Sequence, residues 1–410
     1  MNKIFNNTKE FIKENKFLLI VLIFLSVILQ TIAYQSYQAD YRNIFVAIKS
    51  YLSGYNPYLN NIIHGSAYAD SNFNGFYSRL GYPPLSFLLF IPFGLLNSYA
   101  VSKELWTGFS CVILITFILY LKKIHNIDDK FCILAFISIP VITNIERGQV
   151  YILLALLFVL AYKFRDKFWS GLLIAVSFHL RLMPILVLLY FLIRKQYKIF
   201  FSSIFFSIIL FVISLSFVSI SYYFDLYNSW HHALDKLIFI DLTKYKIPNI
   251  PVVIGDYIRT TEGNYFYNQF AFFLNPSINF LNNFFKNTIF INFTSILAMI
   301  TYLISIRKRP ENPIYYYVFI LLTLSFNFIA VIYQMVYYLP FYFAALKKYQ
   351  DNLLLVILLT FPLFTPTFMR QGAIDCMGGI SPCYIFALLI AFYILSKESC
   401  KKEPLLDKEQ

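Results

Sequence analysis

The sequence predicts an all-α polytopic membrane protein. Three observations carry that expectation: 59% of the 410 residues are hydrophobic, only 13% are charged, and the apolar runs are punctuated by short clusters of lysine and arginine. A water-soluble globule of this size needs about 25% charged residues, so lipid is the solvent this composition calls for. The net charge of +13 is spread between apolar runs rather than gathered on one face, which fits loops obeying the positive-inside rule and excludes a nucleic-acid partner. The five cysteines, at 111, 132, 376, 383 and 400, have no metal-ligand spacing and imply no disulfide framework.

The elements follow in order. Phe17 to Thr31 is the first apolar run, and the bulky polar residues after it make it a retained anchor rather than a cleaved signal. Lys3, Lys9, Lys13 and Lys16 place its start in the cytoplasm, and Lys397, Lys401 and Lys402 place the C-terminus there too. Basic clusters at 122–130, 163–167, 194–198, 307–309 and 347–348 mark inner loops between them. Polar apices at Glu146 to Gln149, His179 to Arg181, Tyr222 to Asn287 and Asn327 to Gln334 then face outward or lie in the outer half of the membrane. The chain reads as one domain, residues 1–410, with outer loops at about 35–82 and 222–287 and roughly ten to thirteen apolar segments. The runs 131–143, 150–162, 169–180 and 182–193 are short for a full crossing, so tilted or broken helices meeting inside the protein are expected. Pro84 to Asn97 is expected to enter the membrane without crossing it.

Candidate chemistry lies at the apices. Asp40 follows the first span at the membrane boundary, where an acid can serve as a general base or simply cap a helix around Asn43 to Leu52. Tyr58 and Tyr82 flank turn residues and can line a sugar site. Arg147 can meet a phosphate or merely neutralise Glu146, and Gln149 opens the next arm. Arg181, next to His179 and just before Pro184, is costly between apolar runs unless it is paired, reaches the interface or faces a polar cavity. In such a cavity it would hold phosphate through bidentate hydrogen bonds. His231 and His232 lack a third ligand, so surface or acceptor-binding roles are favoured over metal ligation. Asn327 and Gln334, before Tyr337, form a polar patch in an apolar hairpin. No glycine-rich phosphate loop or serine-histidine-acid set is present, so no direct use of ATP or a nucleotide is visible.

Taken together, Asp40 with Gly54-Tyr55-Asn56-Pro57-Tyr58, then Tyr82-Pro83-Pro84-Leu85, Gly148-Gln149, Arg181 before Pro184, Asn275 with Ser277, and Tyr337-Tyr338 before Pro340 resemble the family-87 glycosyltransferases of the GT-C fold class. That class includes polyprenyl-phosphomannose-dependent mannosyltransferases of the bacterial cell envelope. The resemblance implies a multispanning bundle in the plasma membrane with an extracytoplasmic active site. It also implies a polyprenyl-phosphate sugar donor, a glycan, glycolipid or other acceptor, contact with membrane lipid, and no cofactor or metal. Asp40 takes the part of the catalytic base. Arg181, Arg147, Gln149, His179, Tyr58, Tyr82, Asn275, Ser277 and Tyr337 are the substrate- and phosphate-binding candidates. Relatives carry a lysine where Arg181 stands, closer to the proline, and a catalytic histidine for which His231 or His232 is the available substitute. A glycan polymerase or ligase using diphosphate-linked lipids and a membrane transporter are the competing classes.

Overall fold

A computed structural model of the chain describes residues 10, 13–36, 38–54, 56–58, 82–181, 184–216, 219–238, 297, 299–324, 332–364 and 380–400. The described residues are helical throughout, with no strand. In chain order the helices are α1 (Lys16–Gln35), α2 (Ala39–Leu52), α3 (Ser86–Gly94), α4 (Tyr99–His125), α5 (Asp129–Phe136), α6 (Ile139–Arg147), α7 (Tyr151–Lys163) and α8 (Ser170–Leu180). There follow α9 (Ile185–Ile193), α10 (Tyr197–Ser214), α11 (Ile220–Ile238), α12 (Pro313–Thr323), a 3-10 turn (Ile332–Tyr337), α13 (Tyr338–Tyr349), α14 (Leu353–Phe364) and α15 (Ile380–Cys400).

Among the described residues, α1, α4 and α10 are long and apolar enough to cross a membrane, and α6 with α7 makes a fourth if the pair counts as one broken span. Most of the other apolar runs fold as helices of eight to thirteen residues, the short arms among the ten to thirteen segments expected. The nine residues of α3, with Pro92 inside them, rise only about 14 Å, so this run does not traverse about 30 Å of hydrocarbon. Short helices that pack against one another bury their ends in protein, which is how interrupted backbone is tolerated at membrane depth.

α1 shows the two-faced pattern. Leu18, Leu22, Ser26, Leu29 and Ala33 are buried at spacings of three and four, whereas Phe17, Ile20, Phe24 and Val27 are exposed. An apolar face turned outward is costly in water and at home in lipid. α10 repeats the arrangement with Phe201, Phe205, Ile208 and Val212 outward. Its inward side meets α8, where Gly171 lies so close to Ser202 and Ser203 that a side chain there would collide with their backbone. Small residues at such a crossing let helices approach closely.

Within the tract read as a polar outer loop, residues 39–52 form a packed helix. Tyr41, Ile44, Phe45, Val46, Ala47 and Ile48 of α2 are all at most 1% exposed, so its apolar residues build core. The aromatic layer around it joins Tyr41 and Trp106 as parallel rings 5.5 Å apart.

One end of the bundle gathers basic clusters. Arg194 donates to the carbonyls of Ile306 (2.7 Å) and Arg309 (2.8 Å), closing the end of the helical segment 299–306. Arg165 pairs with Glu311, which also accepts from Gln196 at 2.7 Å. Lys122, in the last turn of α4, donates to Asp129 at 2.5 Å and to Asn15 just before α1. Cations at helix C-termini complement the dipole, and here they also stitch neighbouring elements together.

Candidate active site

The opposite ends of α1, α4 and α7 carry the polar residues. The chain leaves α1 through Ser36, whose hydroxyl donates to the Glu146 carbonyl at 2.9 Å. Lys103 of α4 donates to the carbonyls of Tyr34 (2.9 Å) and Ser36 (3.2 Å). Gln38 is 1% exposed and adopts a left-handed backbone with φ 42°. Its amide donates to Thr107 Oγ1 (2.8 Å) and the Ile145 carbonyl (3.0 Å). These bonds fix where α2 begins, and so fix Asp40 in its first turn.

Across from Asp40, α6 ends at Gly148 and α7 departs at 119° to it. Gly148 has φ +67° and sits against the Cβ of Tyr41 and the side chain of Gln38. Its carbonyl accepts from Trp106 Nε1 at 3.0 Å. Only glycine meets both demands, a left-handed backbone and contact with α2.

Arg147 Nε donates to Asp40 Oδ2 in a half-buried ion pair, and its guanidinium lies over the Tyr333 ring. This corrects the expectation that Arg147 neutralises Glu146: α6 turns the two side chains apart, and the acid from α2 is the one within reach. Asp40 is accordingly both in a helix first turn, where an anion is favoured, and in a charge pair.

Arg181 follows the last residue of α8. Its guanidinium carbon lies 3.8 Å from the Tyr82 ring centroid and 5.4 Å from that of Tyr151. Nη2 donates to Gln149 Oε1 at 3.3 Å, and the same oxygen accepts from Tyr82 Oη at 3.2 Å. Arg181 also interacts electrostatically with Asp40 and Tyr333, yet among the described residues it has no carboxylate partner. Its Nε is a buried donor without an acceptor, as is the hydroxyl of the nearby, fully buried Tyr337. Burial pushes the Tyr82 phenol above its ordinary pKa, with the charge of Arg181 acting against that shift, so it remains a neutral donor.

Asp40, Arg147, Gln149, Arg181, Tyr82 and Tyr337 therefore converge. Tyr58 sits one layer out, donating to the Tyr82 carbonyl at 2.7 Å. His179 points elsewhere. It is 8% exposed and lines an apolar cavity of about 340 Å³ with Leu85, Ile174, Phe178, Ile208 and Phe211, and its Nε2 has no partner. Leu85 and His179 place that cavity beside the chain that carries Tyr82 and Arg181. His231 and His232 fall within α11; Asn275, Ser277 and Asn327 lie outside the described residues. Tyr151 and Tyr333 escaped the sequence reading. Tyr151, two residues after Gln149, looked like the start of an ordinary apolar arm, and Tyr333 was one aromatic among 33 tyrosines.

Apolar outward faces, spanning helices and a cluster of charged and polar side chains at the broken ends of short ones define an α-helical membrane protein with a polar site among its helix ends. Residues 80–274, just under half of the chain, match the model of glycosyltransferase family 87, a likeness that supports reading the protein as a glycosyltransferase. No curated protein and no solved structure matches it. The matched stretch includes Tyr82, Arg147, Gln149 and Arg181, whereas Asp40 and Tyr337 reach the pocket from outside it.

Proposed function

We propose that the protein transfers a hexose from a polyprenyl-phosphate carrier to a hydroxyl of a glycan or lipid acceptor, on the extracytoplasmic side of the plasma membrane. In this reading it is a multispanning GT-C-type bundle with both termini in the cytoplasm. The observation that carries the proposal is the convergence of Asp40 and Arg181 in one polar cluster, close enough to interact electrostatically. Arg147 already balances Asp40, so Arg181 leaves one positive charge uncompensated.

A sugar linked to lipid through a phosphodiester carries one negative charge and matches that surplus. A diphosphate-linked donor brings more negative charge than one guanidinium balances, which disfavours the polymerase or ligase reading. The apolar cavity lined by Leu85 and His179 suits part of a hydrocarbon chain.

Asp40 accepts the proton of the acceptor hydroxyl as its oxygen bonds to the anomeric carbon. The bond from that carbon to the phosphate oxygen breaks, and its electron pair leaves with the lipid phosphate. Arg181 stabilises the charge that gathers there. A single displacement inverts the anomeric configuration. Arg147 holds the Asp40 carboxylate oriented until the acceptor arrives.

The test incubates the purified full chain in lipid with a panel of polyprenyl-phosphate sugars and candidate acceptors, for wild type and Asp40→Asn. Removal of a general base is expected to slow transfer by about 10²- to 10⁴-fold. Equal turnover by the variant overturns the assigned base, and transfer solely from nucleotide sugars overturns the lipid donor. Thiol labelling of Ser53→Cys from outside and Lys123→Cys from inside checks the orientation; the reverse pattern rejects it.

A further inference from the structure

Tyr151 opens α7 with 4% of its surface exposed. Its ring lies between those of Tyr333 (centroids 5.4 Å apart) and Tyr337 (5.7 Å), with the Arg181 guanidinium beside it. Gln334 Nε2 donates to its phenolic oxygen at 2.9 Å. An amide NH₂ only donates, so Tyr151 is the acceptor in this bond and its own proton is directed elsewhere. Among the described residues nothing accepts that proton. The nearby acceptor, Gln149 Oε1, is already engaged by Tyr82 and Arg181.

Three donors are thus held ready in one place: the O–H of Tyr151, the O–H of Tyr337 and the Nε–H of Arg181, the last two being buried without partners. Donors kept unsatisfied in apolar surroundings are costly. A ligand that satisfies all three must bring several acceptor oxygens and a negative charge, which is the chemistry of phosphate.

We propose that Tyr151 and Tyr337 donate to the phosphate of the lipid carrier, and that Gln334 is the positioning residue that makes Tyr151 a donor toward it. The proposal rests on the lipid-phosphate reading above. During transfer the phosphate passes from a singly charged diester to a monoester with a further negative charge. Donors aimed at it therefore bind the leaving group more strongly than the intact donor, which accelerates the chemical step.

The test measures binding of a twenty-carbon prenyl monophosphate to the full chain in lipid nanodiscs, with the prenyl alcohol of equal length as the uncharged control. Tyr151→Phe and Tyr337→Phe, which preserve ring packing, are each expected to weaken phosphate binding by about 10- to 100-fold and to leave the alcohol unaffected. Gln334→Glu replaces the donating amide nitrogen by a carboxylate oxygen that accepts, and so recaptures the Tyr151 proton. Its effect should therefore be larger in the wild-type background than in Tyr151→Phe, by the factor that Tyr151→Phe itself costs. Unchanged phosphate binding by Tyr151→Phe, or an equal effect of Gln334→Glu in both backgrounds, overturns the assignment. Arg181→Met separates the two levels. If that variant also binds the monophosphate as wild type does, the phosphate site itself is rejected; if it loses binding while Tyr151→Phe does not, only the role of Tyr151 falls.

Discussion

Arg181 lies face-on over Tyr82, its guanidinium carbon 3.8 Å from the ring centroid, so the cation at the end of α8 is held by an aromatic face rather than by an acid. That arrangement keeps the charge available to a ligand while softening the cost of its partial burial. Tyr82→Phe retains the face and loses the bond to Gln149, and kcat/KM is expected to fall less than tenfold. Tyr82→Leu removes both and is expected to cost a further ~2- to 30-fold. Steady-state transfer assays of the two variants check the order; equal losses would mean that the ring face contributes nothing.

The Asp40–Arg147 pair supplies a second expectation. Each side chain is less than a quarter exposed, so removing one partner strands the other. Asp40→Asn and Arg147→Gln are each expected to reduce stability by about 1–3 kcal/mol, and the double variant to be more stable than the sum of the single losses implies. Thermal unfolding of all four proteins in one detergent measures the coupling. Strict additivity would show that the pair has no energetic meaning.

Gly148 and Gly54 form a matched comparison. Both have positive φ, +67° and +79°, but a Cβ at Gly148 would meet Tyr41 and Gln38 whereas one at Gly54 would meet nothing within 4 Å. Gly54→Ala is expected to cost only the left-handed backbone penalty, about 1–2 kcal/mol. Gly148→Ala adds a collision at the joint that seats Asp40 and Arg147, so its melting temperature should fall further and transfer should fail with it. Similar behaviour of the two variants would remove Gly148 from the account of the site.

Arg194 lies at the other end of the bundle, where it bonds the carbonyls of Ile306 and Arg309. Arg194→Met is expected to lower stability by about 1–3 kcal/mol and to leave the KM for the lipid donor unchanged, since nothing in the pocket touches it. A selective rise in KM without loss of stability would contradict a structural role.

Much of the site was legible as a set of anomalies. Asp40, Arg147 and Arg181 stood out because ionisable groups beside apolar runs are expensive and so have reasons to be there. The shortness of the arms around Glu146 to Gln149 announced a break, and the structure has one, at 119°. His179 shows the limit of such reasoning. It is two residues from Arg181, but a helix turns by about 100° per residue, and α8 aims His179 at the apolar cavity while Arg181, past the helix end, faces Tyr82. Residues 39–52 show another limit. A helix around Asn43 to Leu52 was expected within the polar outer tract, but not that Tyr41 to Ile48 would be buried as core.

By itself the sequence determined the solvent, the all-helical class and the stock of charged and aromatic residues available for chemistry, because composition and hydrophobic run length act locally along the chain. Only the tertiary structure decided which of those residues share a pocket. Asp40 and Arg147 are 107 residues apart and Tyr151 and Gln334 are 183 apart. Such pairs are made by helix ends meeting across the bundle, through backbone contacts like that of Gly148 with Tyr41, and no local pattern encodes where distant helices end relative to one another.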